Sequence, residues 1–206
     1  MSETQTALVT GASGGIGLEI ARLLAQEEYN LVLVARSAST LESLAEELRD
    51  SGSPEVTVLP EDLTDPEAPA RLEAALEEKD ISLDFLVNNA GVLEYGRFQD
   101  LGESEQIRMI TLNNEALVRM THRFLPGLLA KDAGRILNVA SIAAFQPVPM
   151  LAVYAASKAF VLSFTEALSV ELAPTGVSIT ALCPGVTDTG MVSAVADDDE
   201  SGLKIP

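Results

Sequence analysis

One cysteine, one histidine and no tryptophan in 206 residues exclude several chemistries at the outset. Cys183 alone cannot form an intramolecular disulfide, and neither a cysteine cluster nor a polyhistidine set is available for zinc. No apolar run approaches the roughly 18–20 residues that span a bilayer. Met1–Thr6 is polar, without the basic and apolar regions of a signal peptide. These absences lead to the expectation of a cytoplasmic, metal-free protein. Positive charge is scarce too, with 13 basic residues, four of them lysine, against 31 acidic ones and a net charge of −18. A surface of that sign repels nucleic acid and anionic membrane, so neither is expected as a partner. It would also suit brine, where dense carboxylates hold hydration and salt screens their repulsion; an ordinary acidic protein has the same composition.

What is present is apolar mass and a repeating pattern. With 47% hydrophobic residues the chain can bury a substantial core, and residues 1–206 are read as one domain. Short β-branched runs at Ala7–Val9, Asn30–Ala35, Val56–Leu59, Phe85–Asn88, Arg135–Ala140 and Val177–Leu182 read as strands. Longer amphipathic stretches at Gly15–Glu27, Thr40–Asp50, Pro66–Glu78, Ser104–Ala130 and Leu151–Leu172 read as helices. Strands without polar alternation predict a parallel sheet covered on both faces, and right-handed crossovers make it an α/β doubly wound (Rossmann) fold. The tail Ala196–Pro206, with acids at 197–200, reads as a mobile loop.

Thr10-Gly11-Ala12-Ser13-Gly14-Gly15-Ile16-Gly17 follows the first strand and opens the first helix. Gly11 would permit a tight turn, Gly15 would let backbone approach a pyrophosphate, and Gly17 would allow close packing of helix on sheet. The helix N-terminus offers free N–H groups and a positive dipole to phosphate. About 20 residues further on, an acid commonly holds the adenosine ribose hydroxyls. Ala35-Arg36-Ser37 stands there instead, and an arginine pairs with the 2′-phosphate of NADP by charge and forked geometry. NADP(H) is therefore expected over NAD(H).

Ser141, Tyr154 and Lys158 carry the chemistry. Tyr154 and Lys158 are four apart near a helix start and share a face. An ammonium at about 4–5 Å and an effective dielectric near 20 stabilises a phenolate by about 3–4 kcal/mol. That would bring the phenol from about 10 towards 7–8, where it can exchange a proton with an alcohol or carbonyl oxygen. Ser141 follows the fifth strand, at the carboxyl edge where such sheets bind ligands, and its hydroxyl could orient that oxygen.

With these residues in order, the chain resembles the short-chain dehydrogenase/reductase family over nearly its whole length. The family's markers stand as Thr10-Gly11…Gly15-Ile16-Gly17, Asp62-Leu63-Thr64, Asn88-Asn89-Ala90-Gly91, Ser141, Tyr154-x-x-x-Lys158 and Pro184-Gly185. The resemblance implies that Gly11, Ser13, Gly14, Gly15, Ile16 and Gly17 cradle the dinucleotide. Asp62, beside Leu63, would accept from the adenine amino group, and Asn89, Ala90 and Gly91 would bring backbone near the adenosine ribose. It also implies Tyr154 as general acid/base and Lys158 as holder of the nicotinamide ribose. Ser141 would polarise the substrate oxygen. The segment Pro184, Gly185, Val186 to Thr189 would meet the nicotinamide, with Thr189 on its carboxamide. An asparagine whose backbone carbonyl holds a water linking the lysine to solvent falls on Asn113 or Asn114. Asn113 is preferred, because Ala116 then supplies the small residue three positions later.

The implied reaction is hydride transfer between NADP(H) and a small-molecule carbonyl or secondary alcohol. Val92, Leu93, Tyr95, Phe98, Ala143, Gln146, Met150 and the 187–206 loop are the pocket candidates. The family's two long helices form a two-fold interface, so a homodimer or homotetramer is expected, with Met109, Leu117, Phe160 and Phe164 among the apolar residues available to it. Family chains run on for a further helix and a seventh strand. Either this chain is part of a longer protein or that strand is missing, and the first is expected because a bare sheet edge invites association. Two other readings compete: a non-catalytic dinucleotide-sensing or scaffold protein, which would commonly lose Tyr154 or Lys158, and a methyltransferase of related fold, which would want an acid where Arg36 stands. His122 reads as a surface or interface residue and Cys183 as a small buried one.

Overall fold

The computed structural model describes residues 4–185. Among these residues six strands form one sheet: β1 (Thr6–Thr10), β2 (Asn30–Ala35), β3 (Val56–Pro60), β4 (Phe85–Asn88), β5 (Gly134–Val139) and β6 (Val177–Leu182). Every pairing is parallel and the order is β3-β2-β1-β4-β5-β6, as expected for the doubly wound fold. Between the strands run α1 (Gly15–Gln26), α2 (Ala38–Asp50), α3 (Ala68–Glu78), α4 (Glu103–Ile110), α5 (Ala116–Ala130) and α6 (Ala152–Leu172).

Two-residue alternation divides the core. Leu8, Val32, Val34 and Leu86 point to one face, among Leu72 and Leu76 of α3 and Met120, Phe124 and Leu128 of α5. Ala7, Val9, Leu31, Leu33 and Val87 point to the other, among Ala21 and Leu24 of α1 and Leu41, Leu44 and Leu48 of α2. Because both faces are covered here, β1 is buried at every position and carries no polar alternation. The edge strand β6 departs from the expected two-sided burial, since Ser178, Thr180 and Leu182 are exposed between its buried residues.

Helix starts shift for local reasons. Ser37 accepts from the Thr40 N–H and so begins α2 at Ala38. Asp65 Oδ1 takes the Glu67 N–H at 2.9 Å, holding a turn that delays α3 to Ala68. The stretch read as one helix over Ser104–Ala130 is interrupted by a π-turn at Thr111–Glu115. Its cause is a pair of buried amides. Neighbouring residues on a regular helix point about 100° apart, yet the Asn113 Nδ2 donates to Ser157 Oγ at 3.0 Å and the Asn114 Nδ2 to the Ser157 carbonyl at 2.8 Å. The widened turn brings both to α6.

The residues expected at a two-fold interface divide. Met109 and Leu117 belong to the core at 0% and 5% exposure, which corrects their expected place at an interface; Leu117 packs with Ala140 and Val161. Phe160 is 44% exposed and stacks on Phe164, centroids 6.0 Å apart. His122 is exposed; Cys183 is half-buried against Leu117, Ala140 and Val161.

Candidate active site

The strand order reverses between β1 and β4, and a cleft of about 1150 Å³ opens there at the carboxyl ends of the strands. Gly11, Ser13, Gly14, Gly15 and Ile16 line one end of it, and Arg36, Asp62 and Leu63 continue that wall. Asn89, Ala90, Gly91, Ser141, Tyr154, Lys158, Pro184 and Gly185 line the rest. Gly17 and Asn113 stand behind the lining, while Val186 and Thr189 lie outside the described residues.

The glycine loop is held by the end of β4. The Thr10 hydroxyl donates to the Val87 carbonyl at 3.1 Å and accepts from the backbone N–H of Asn89 and Ala90 at 2.9 and 3.0 Å. The Asn89 Nδ2 donates to the carbonyls of Thr10 and Gly11 at 2.9 and 3.2 Å. Gly11 and Gly15 take φ of +65° and +55°, which favour glycine. A Cβ on Gly17 would run into Asn89 Nδ2 and the Gly11 carbonyl, whereas one on Gly14 would meet nothing within 4 Å. Bare backbone at Gly14 therefore faces the open cleft, beside Gly15 in the same lining. Among the described residues no side chain caps α1 and no acid lies in its first turn, so its N–H groups are available to an anion.

At the Arg36 end, Asp62 Oδ1 accepts from the Thr64 N–H at 3.0 Å and hydroxyl at 2.8 Å. The Thr64 N–H holds the Asp62 carboxyl below its ordinary value; burial opposes this, and the Thr64 hydroxyl, Arg36 and Arg108 reinforce it. Arg36 is exposed and makes no ion pair among the described residues.

At the opposite end, Ser141 follows β5 and its Oγ accepts the Ala143 N–H at 3.1 Å, capping a short 3₁₀ turn over Ile142–Phe145. Tyr154 and Lys158 come from the first two turns of α6. The lysine is 6% exposed, its Nζ 5.8 Å from the tyrosine ring centroid and donating to the Val139 carbonyl at 2.7 Å. Burial pulls the amine down to about 8. The expected depression of the phenol is not found: burial pushes Tyr154 above its ordinary value, and the neighbouring Ser141 hydroxyl only partly offsets it. Gly91 separates this pair from the π-turn, a Cβ there meeting Asn113 Oδ1 at 3.0 Å and Lys158 Nζ at 3.6 Å. Asn113 clasps the loop after β4, accepting from the Val92 N–H at 2.9 Å and donating to its carbonyl at 3.0 Å.

Of the pocket candidates, Val92, Leu93, Ala143 and Gln146 line the cleft, joined by Ile142, Val148 and Leu151. Tyr95, Phe98 and Met150 do not; Phe98 is 66% exposed, and Met150 turns at φ +68° with its carbonyl taken by the Gly96 N–H. Residues 187–206 lie outside the described residues. Sequence reasoning missed Arg108 and Leu112, which line the cleft from α4 and the π-turn. Only helical phase could have flagged them.

A family model described as short chain dehydrogenase matches residues 5–200. Ketoacyl reductase HetN of Nostoc sp. is 36% identical over 205 residues, 98% of this chain and 71% of that protein. A short-chain dehydrogenase from Sphingobium yanoikuyae, solved in complex with NADPH, matches with a TM-score of 0.87 and 38% identity over 93% of this chain and 75% of its own. An actinorhodin polyketide ketoreductase solved with NADPH matches with a TM-score of 0.91 and 36% identity over 98% and 78%.

Proposed function

This chain belongs to the short-chain dehydrogenase family, and from that premise we propose that it transfers hydride between NADP(H) and a carbonyl or secondary alcohol, with Tyr154 as general acid/base. One observation carries the reading. Ser141, Tyr154 and Lys158, from β5's end and α6, line the same cleft as the uncapped glycine loop. The cradle fits a dinucleotide phosphate, since Gly14 presents bare backbone and α1 has unpartnered N–H groups. Gly11, Ser13, Gly14, Gly15 and Ile16 would hold the pyrophosphate, Gly17 packing behind them, and Arg36 would hold the 2′-phosphate. Asp62 and Leu63 would take the adenine, Asn89–Gly91 the adenosine ribose and Lys158 the nicotinamide ribose. Pro184, Gly185, Val186 and Thr189 would meet the nicotinamide. NADPH in the two related structures supports the choice of dinucleotide.

Bound there, the nicotinamide supplies or accepts the hydride. Tyr154 gives its hydroxyl proton to the carbonyl oxygen in reduction and takes it back in oxidation. Ser141 donates a hydrogen bond to that oxygen. Burial pushes the phenol above its ordinary value, which favours the protonated form that donates in reduction. The π-turn widens the helical ladder around Asn113, whose backbone carbonyl would hold a water that joins Lys158 to solvent. Apolar Leu93, Val148 and Leu151 leave the substrate end suited to an apolar carbonyl compound.

The test is Tyr154→Phe, assayed by nicotinamide absorbance against aldehydes, ketones, 3-hydroxy acids and secondary alcohols. Turnover should fall about 10²–10⁴-fold, the usual loss of a general acid/base. NADPH affinity should stay within a few-fold. Near-normal turnover would mean the proton donor has been misassigned.

A further inference from the structure

Arg108 is a cation without an assigned role in a chain that has few. Arg22, Arg71, Arg119 and Arg123 each hold a carboxylate, but Arg108 makes no ion pair among the described residues. Its helical neighbour Glu105 accepts from the Ser104 hydroxyl instead. Nor does it cap a helix end, because the chain continues through Thr111 with helical φ −59° and ψ −48°. The half-buried Arg108 lines the cleft together with Arg36, Ser37 and Asp62. The carboxylate of Glu61, on the same wall, is occupied by Arg71 at 2.7 Å. Arg36 follows β2, whereas Arg108 comes from the helix after β4, so they enter the cleft from the two halves of the sheet. Both act on the same Asp62 carboxylate, which places both positive charges at one end.

We infer that Arg108 is the second arm of an arginine pair that, with Arg36, selects a nucleotide bearing a 2′-phosphate on its adenosine ribose. This rests on the reading that the cleft takes NADP(H). In a molecule of net charge −18, a phosphate monoester needs local cations to offset the wider field, and two arginines on facing halves supply charge and forked donors together.

Isothermal titration of the full chain with adenosine 2′,5′-bisphosphate and with adenosine 5′-monophosphate tests the pair. The unmodified protein should bind the bisphosphate more tightly. Arg108→Gln and Arg108→Ala, both good helix formers, should each lose about tenfold for the bisphosphate and less than about twofold for the monophosphate. Arg108→Lys should lose less, keeping charge without the fork. Equal affinity of the unmodified protein for both nucleotides overturns the NADP(H) reading and Arg108's role with it. A preference abolished by Arg36→Gln but untouched by the Arg108 variants overturns Arg108's role alone. An equal loss for both nucleotides does the same, marking a contact to the adenosine 5′-phosphate that they share.

Discussion

A spacing of four residues places Tyr154 and Lys158 side by side, but burial decides how they titrate. The ammonium spends its reach on the Val139 carbonyl, and each group is removed from water enough to disfavour its charged form. This has a consequence for stability. Lys158 has a folded value near 8 against an ordinary 10.5, so its burial penalty is complete below pH 8 and is relieved as pH rises towards 10.5. That span corresponds to about 3 kcal/mol, and losing the bond to Val139 would cost about 1–2 kcal/mol in return. Lys158→Met should therefore be about 1–2 kcal/mol more stable than the unmodified chain at pH 7, while losing activity. The advantage should disappear by about pH 10, as denaturant melts at the two pH values would show. A variant destabilised at pH 7 would mean that the amine is better solvated than its surroundings indicate. Lys158 is thus held at a cost in stability, the trade expected if it serves the proposed site.

At the scale of the element, the glycine loop distributes its demands in a way that spacing conceals. Gly17 is a packing position, and Gly14 faces open space where the proposed dinucleotide would lie. Gly17→Ala should lower stability by about 2–3 kcal/mol, because its methyl group would force apart the Asn89 amide and the Gly11 carbonyl. Gly14→Ala should leave the denaturant midpoint nearly unchanged yet weaken NADPH binding, since its methyl group projects only into open space. Equal effects of both on stability would show that the loop has no such division. This is also where the sequence was least legible. Strands at Asn30–Ala35, Phe85–Asn88 and Val177–Leu182 were readable to the residue, because burial on both faces writes an apolar run into the first two and one-sided burial an alternating pattern into the third. The doubly wound parallel sheet and the cluster of Ser141, Tyr154 and Lys158 followed. The π-turn did not, because its cause lies 44 residues away at Ser157 and 21 residues away at Val92. Arg108 was hidden for the same reason: a charge on an amphipathic helix looks solvated until the neighbouring wall is known.

The whole molecule carries 31 acidic groups against 13 basic, and the exposed pairs Arg22–Glu47, Arg71–Glu61 and Arg119–Glu115 neutralise few of them. Exposed pairs stabilise little in any case. The larger effect is repulsion among the remaining carboxylates, which salt screens. Raising sodium chloride from about 0.05 M to molar levels should lift the thermal midpoint by several degrees, since the Debye length falls to about 3 Å at 1 M. A flat or falling midpoint in calorimetry would leave an ordinary acidic protein. The sheet order brings a different hazard, one of timing. Residue 7 pairs with residue 31 on one side and with residue 85 on the other. A nascent chain can thus complete the β1–β3 half while the other edge of β1, Thr6–Thr10, buried at every position in the finished fold, is still exposed. Until β4 slots in and Asn89 and Ala90 close on the Thr10 hydroxyl, that edge is a template for any passing strand. Ribosomal pausing before residue 85 would favour aggregation, and chaperone demand should be greatest in that interval.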